Sequence, residues 1–266
     1  MKNNLNIVSS LHKKTKRDCL SRMKDSKVFY MKLAKKYSRD YWDGSRKAGY
    51  GGYKYIKDYW KPVALKLIKK YKLTNSSSVL DVGCGKGFLL FEIKKVLPNI
   101  HICGFDLSKY AILRSPKDIK KNLFVHDAKK KFPLKNKNFD LVISLACVHN
   151  LNVYELKNCL KEISRVGKKQ YIMTESYRND QELFNLQCWA LTCDTFFSPK
   201  EWKWIFKESG YKNFVICVNH LSKVIKNYFG NGTKFGVKIE YIHEKKRMGT
   251  AGALSLFKTK LTEPFF

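Results

Sequence analysis

From residue 78 onward the chain alternates short apolar runs with amphipathic stretches. The runs at 79–83, 100–106, 123–126, 139–145 and 170–175 have strand length. Between them, 88–97, 109–114 and 154–165 repeat apolar residues at helical spacing. Strands that alternate with helices predict an α/β domain whose parallel sheet is covered on both faces. Upstream, Leu5, Val8 and Leu11, then Val28, Met31, Leu33 and Ala34, predict one or two amphipathic helices within 1–37. Trp60-Lys61-Pro62 opens a further helix through Tyr71, with Pro near its first turn. The intervening 37–59 is rich in Tyr, Trp and Gly and reads as a loop, in which Tyr50 and Tyr53 are candidates for a lid.

In parallel sheets of this kind ligands bind at the C-terminal strand ends. The first strand runs into Val82-Gly83-Cys84-Gly85-Lys86-Gly87, a glycine-alternating turn before an apolar helix. Glycines there leave room for a ligand to approach backbone. Asp81 precedes the turn, and Asp106 ends the second strand, where an acid accepts hydrogen bonds from ribose hydroxyls. The third strand ends at His126-Asp127-Ala128, the fourth before Cys147 and His149, the fifth at Glu175-Ser176-Tyr177. Asp127 is suited to an adenine amino group.

Charge and cysteines change this picture little. The net charge is +31, but it comes from lysines spread along the chain, with only eight arginines. Dedicated phosphate readers favour arginine and a localised patch. A nucleic-acid partner is therefore not favoured, whereas a small anionic acceptor is compatible. Eight scattered cysteines show no C-x-x-C pair or zinc-ligand spacing, so no metal site and free thiols are expected. No run approaches the ~20 apolar residues of a membrane span, and the N-terminus is polar, so a cytoplasmic location without a membrane span is expected.

The glycine spacing separates two cofactor classes. A dinucleotide fingerprint would place its third glycine where Phe88 stands. Asp81 would also repel a pyrophosphate, yet it suits a ligand with an ammonium and a sulfonium, as S-adenosylmethionine has. Four motifs carry a resemblance in register: the stretch 79–90, Gly104-Phe105-Asp106-Leu107-Ser108, Asp127-Ala128, and Phe139-Asp140-Leu141-Val142-Ile143-Ser144. They resemble class I S-adenosylmethionine-dependent methyltransferases. More closely, 41–62, Val148-His149-Asn150-Leu151, 175–179 and 197–202 resemble small bacterial methyltransferases found near surface-polysaccharide and nucleotide-sugar genes. The resemblance implies a Rossmann-like, seven-stranded sandwich. It implies that Asp81, Gly83, Cys84, Gly85 and Gly87 hold the methionine portion, Asp106 and Leu107 the ribose, and Asp127 and Ala128 the adenine, with Ser144 nearby.

Methyl transfer is an in-line displacement in which the protein aligns the groups and sometimes removes a proton. His149 is the first candidate base and Glu175 the second, with Tyr177 a candidate pocket wall. The position after the fourth strand reads Ser144-Leu145-Ala146-Cys147 rather than the Asn/Asp-Pro-Pro-aromatic motif of DNA amino-methyltransferases. The expected acceptor is a sugar or nucleotide sugar. The alternatives are a cofactor-binding product of fusion or truncation that is catalytically impaired, or an RNA methyltransferase.

Past Gly210 the pattern changes. A strand at 213–219, a helix at 221–229, a strand at 237–243 and Gly249-Thr250-Ala251-Gly252-Ala253 form a fresh β-α-β unit. It resembles an interior fragment of a sugar-phosphate nucleotidyltransferase, without that family's N-terminal nucleotide loop or its metal-binding Asp, so no nucleotidyl transfer is expected. The sequence thus divides into a helical segment (1–37), a methyltransferase unit (38–210) and an incomplete fragment (211–266). A lone β-α-β unit cannot bury both faces, so 213–219 is expected to join the main sheet and residues beyond about 230 to pack loosely.

Overall fold

The computed structural model describes residues 18–211, 213–218, 227, 230–235 and 237–243. Helices α1 (Cys19–Lys24), α2 (Lys27–Ala34), α3 (Arg39–Asp43) and α4 (Lys61–Tyr71) precede the sheet. Then follow β1 (Ser78–Val82), α5 (Phe88–Val96), β2 (His101–Asp106), α6 (Lys109–Leu113), β3 (Leu123–Val125), β4 (Leu141–Leu145), α7 (Val153–Val166) and β5 (Gln170–Met173). Helices α8 (Asp180–Trp189) and α9 (Pro199–Glu208), and strands β6 (Asn213–Val218) and β7 (Lys238–His243), complete the described chain.

The five strands β3-β2-β1-β4-β5 are all parallel. The order reverses between β1 and β4, which opens a crevice above their C-terminal ends. The pleat sorts side chains to two cores. Leu80 and Val82 join Leu156, Leu160 and Ile163 of α7 and Trp202, Ile205 and Phe206 of α9. Val79 joins Val63, Ala64 and Leu67 of α4 and Leu89, Leu90 and Ile93 of α5. Each fully buried Val, Leu or Ile among these is worth ~1.5–3 kcal/mol. In α7 the buried Leu156, Cys159, Leu160, Ile163 and Val166 keep helical spacing, and an Asn152–Glu155 capping box closes its first turn.

Three expectations need correction. The main sheet holds five described strands, not seven. Among the described residues, segment 213–218 does not join it; β6 instead pairs in parallel with β7 in a separate two-stranded sheet. Loose packing past 230 is not general, because Ile239 of β7 is buried in the cluster that contains Trp202, Phe206 and Tyr211. Helix α2 forms as expected, yet Val28 and Phe29 are exposed, and its buried residues are Lys27 and Ala34. Residues 5–11, nearly all of 221–229 and 249–253 lie outside the described residues.

Candidate active site

The glycine turn is held tightly from below. The amides of Gly83 and Cys84 both donate to Phe105 O (2.9 and 3.0 Å), and Gly87 N donates to Cys84 O at 2.9 Å. Gly85 N donates to Asp106 Oδ2 and Ser108 N to Asp106 Oδ1, both at 2.8 Å. These amides are therefore used within the protein, and the turn offers a ligand room rather than those donors. Gly83, Gly85 and Gly87 all have positive φ (76°, 58° and 74°). A Cβ on Gly83 would lie 2.4 Å from Cys147 Sγ, and one on Gly85 2.8 Å from the Trp42 ring. Gly87 lines neither of the two cavities above the turn; its Cβ would strike Leu123 and Ile119, so this glycine serves helix-on-sheet packing.

Above the turn lies an aromatic roof drawn from residues 37–53. Trp42 stacks on Tyr50 (5.3 Å, 7°), Tyr50 meets Tyr53 at 4.6 Å, and Tyr53 stacks on Phe88 at 5.2 Å. Trp42 Nε1 donates to Ser108 Oγ at 2.9 Å, while the same oxygen caps α6 by accepting from Ala111 N. Lys86, inside the glycine turn, donates to both Asp43 oxygens and to Tyr53 O, each at 2.7 Å. Asp43 also accepts from Tyr110 Oη at 2.8 Å and Tyr53 N at 3.0 Å. Burial opposes its ionisation, but the Lys86 and Tyr110 hydrogen bonds hold its pKa below the ordinary value.

Roof and floor enclose two adjoining cavities. One, about 430 Å³, is lined by Asp81, Gly83, Cys84, Gly85, Tyr50, Tyr53, His149 and Glu175. The other, about 340 Å³, is lined by Asp106, Leu107, Asp127, Ala128, Gly83, Tyr50 and Cys147. Gly83, Ala146, Trp42 and Tyr50 border both, so the cavities meet between the turn and the roof. Besides Gly87, two expected residues lie outside both. Ser144 is fully buried and donates to Val82 O at 3.0 Å, bridging β4 to β1. Tyr177 engages Glu201 of α9.

The electrostatics differ along the groove. Burial, followed by the nearby Asp106 charge, raises the pKa of Asp81 to about 7. Burial also raises Asp106, against the pull of its two amide donors. Burial lowers His149 to about 4. Its Nδ1 accepts from Glu175 N at 3.2 Å, so the neutral ring carries its proton on Nε2. The pair is braced from behind: Thr195 N and Oγ1 donate to His149 O, and Trp202 Nε1 donates to Glu175 O at 3.0 Å.

The cavities suit the two ends of an adenosyl-amino-acid cofactor. In the second, His126 Nε2 and Asn150 Oδ1 are buried without a partner among the described residues, a ring nitrogen and an acceptor left for a polar heterocycle. In the first, the buried Asp81 carboxylate has no hydrogen bond to a described residue, which leaves it for a cationic group.

Several of these residues escaped the sequence reading. Trp42, Asp43 and Lys86 had only local signals, a Tyr-Trp-Asp-Gly stretch and a lysine within a glycine turn. Asn150 stood within the Val148–Leu151 motif but without a role of its own, and Trp189 had no signal, because helix α8 has no clear apolar face.

Residues 73–210 match a family model described as a methyltransferase domain. A nucleotidyl transferase model matches 202–265, a stretch of which about half lies outside the described residues. An uncharacterized protein of Haemophilus influenzae is 29% identical over 159 residues, covering 55% of this chain and 63% of that protein. An uncharacterized protein of Methanocaldococcus jannaschii is 31% identical over 153 residues, covering 58% and 51%. The tRNA (carboxymethyluridine(34)-5-O)-methyltransferase of Saccharomyces cerevisiae is 33% identical over 114 residues, covering 42% and 35%. The chain thus spans less than two thirds of the length of each of these relatives. Among solved structures, the YcgJ protein from Bacillus subtilis superposes with a TM-score of 0.45 at 18% identity, covering 55% of this chain and 66% of that one.

Proposed function

The chain belongs to the methyltransferase-domain family, and from that premise we propose that it transfers a methyl group from S-adenosylmethionine to a small-molecule acceptor. The observation that carries this reading is one cavity lined by both the Asp81–Gly85 turn and the His149–Glu175 pair. Asp81 and Gly83 would hold the amino-acid end, Asp106 and Leu107 the ribose, and Asp127 and Ala128 the adenine. Bound there, the sulfonium supplies an activated methyl group.

The remaining chemistry falls to the protein. Glu175 is proposed as the base that takes a proton from an acceptor hydroxyl. His149, with Nδ1 engaged by Glu175 N and its pKa near 4, is neutral above pH 5 and donates from Nε2 to orient the acceptor. This reverses the order of the two candidates read from the sequence. A carboxylate acceptor would need no base. Carboxyl-bearing groups occur in the names of two relatives, the yeast enzyme acting on carboxymethyluridine and a malonyl-[acyl-carrier protein] O-methyltransferase of Bacillus anthracis. A nucleotide sugar remains the other proposed acceptor, with residues 38–210 as the methyl-transfer unit and no nucleotidyl transfer from 211–266.

The test is a methyl-transfer screen with labelled S-adenosylmethionine over nucleotide sugars and small carboxylic acids. Glu175→Gln should lower kcat on a hydroxyl acceptor by about 10²–10⁴ and leave S-adenosylhomocysteine binding intact. No binding of S-adenosylhomocysteine by the unaltered chain would end this reading.

A further inference from the structure

The cap of the first cavity concentrates a residue type that the chain otherwise uses sparingly. Only eight of its 53 basic residues are arginines, and two of these, Arg22 and Arg46, line this cavity. Both lie over one ring: the Arg22 guanidinium is 4.3 Å and that of Arg46 5.2 Å from the Trp189 centroid. Trp189 lines the same cavity. Arg46 is pinned through Nη1 to Gly49 O and Tyr50 O (2.9 and 3.2 Å). Its Nε and Nη2 make no hydrogen bond to a described residue, and no described carboxylate pairs with it. Two like charges gathered on one ring repel each other, and an anion set between them turns that repulsion into attraction. The planar fork also matches carboxylate and phosphate geometry better than any lysine.

Resting on the methyl-transfer reading above, we propose that Arg22 and Arg46, stacked on Trp189, recognise an anionic group of the methyl acceptor, a carboxylate or a phosphate. The recognition groups then come from α1, the roof and α8, whereas Glu175 and His149 come from the ends of β5 and β4. The acceptor spans from cap to sheet. Its charged end is held on the cap, and its reacting atom lies over the glycine turn. A cavity of about 430 Å³ limits it to a small molecule.

Calorimetry of the full chain tests this with uridine diphosphate as the phosphate probe, glutarate as the carboxylate probe and uridine as the neutral control, all without nucleoside cofactor. A second titration uses S-adenosylhomocysteine alone. The Arg22→Gln/Arg46→Gln double variant should bind at least one anion tenfold or more weakly and keep its S-adenosylhomocysteine affinity within twofold. Arg46→Gln alone, at an exposed position, should lose part of the anion affinity and serves if the double variant melts early. The inference is overturned if neither anion outbinds uridine. It is also overturned if the double variant keeps its anion affinity, as diffuse attraction to the other 51 basic residues would produce. A tenfold loss of S-adenosylhomocysteine affinity with anion binding unchanged would assign the arginines to the cofactor's own carboxylate and equally overturn it. Failure of the unaltered chain to bind S-adenosylhomocysteine ends the methyl-transfer reading by itself, while the anion titrations still decide the arginine pair.

Discussion

The floor of the groove is built from strands buried on both faces, and its turn amides are hydrogen-bonded to Phe105 and Asp106. The roof, residues 37–53, has little of that support. It rests on stacked rings and on side-chain ties: Trp42 and Tyr37 O to Ser108, Tyr110 to Asp43, and Lys86 to Asp43 and Tyr53 O. A floor of this kind opens only when the domain unfolds, whereas a roof held by a few side chains can part locally. The groove therefore joins a rigid half that fixes the cofactor to a separable half that admits it.

The sharpest way to break the floor is Asp106→Ala. It removes the acceptor for Gly85 N and Ser108 N and the proposed ribose partner. S-adenosylhomocysteine affinity should fall by about 10²–10³, given ~1.5–3 kcal/mol for each hydrogen bond to a charged group. Unchanged affinity by calorimetry would contradict the assignment. Gly87→Ala tests the packing of the floor. A side chain at φ 74° that also presses on Leu123 and Ile119 should cost ~2–4 kcal/mol in a denaturant melt. A loss under ~0.5 kcal/mol would mean that the helix can shift away from the sheet.

Lys86→Met tests the roof. It removes the ammonium from a partly buried Asp43 and leaves that carboxylate only its Tyr110 Oη and Tyr53 N donors, so a loss of ~1–3 kcal/mol is expected. The discriminating readout is amide exchange: protection should drop in 39–53 and persist in β1 and β4. A uniform drop would mean that roof and floor are one cooperative unit. The smallest effect concerns pH. Asp81 keeps its proton up to about pH 7 in the folded chain, and a cationic amino group needs the carboxylate. Cofactor affinity should therefore decline below pH 7, by up to about tenfold per pH unit, and Asp81→Asn should flatten the profile. The same shift makes this carboxyl favour folding at low pH, a contribution lost as pH rises from the unfolded value near 3.8 through about 7. A flat profile in the unaltered chain would remove Asp81 from the site.

The floor was legible because its physics is local. Apolar runs of strand length, glycines at positive φ and acids at strand ends are written in consecutive residues, and Asp81, Gly83, Asp106 and Asp127 all fall on the groove. The roof was legible only as a loop with candidate lid tyrosines. Its anchor depends on Asp43 meeting Lys86 across 43 positions, which no periodicity encodes. Ser144 misled for a different reason: a polar residue at a strand end can serve the neighbouring strand's carbonyl as readily as a ligand. Strand β6 misled because its apolar run encodes a strand but not its partner, which is β7.

The seating of Cys147 on Gly83 also bears on chemical labelling. Burial, followed by the neighbouring Asp106 and Asp81, pushes its thiol up to about 12, so almost no thiolate exists near neutrality and alkylating reagents should find it inert. Cys147 borders the cavity beneath Trp42 and Tyr50. A maleimide would capture it only in the moments when those rings lift and water restores its acidity. Its modification rate would then act as a clock for those openings, slowed by any nucleoside that holds the rings down.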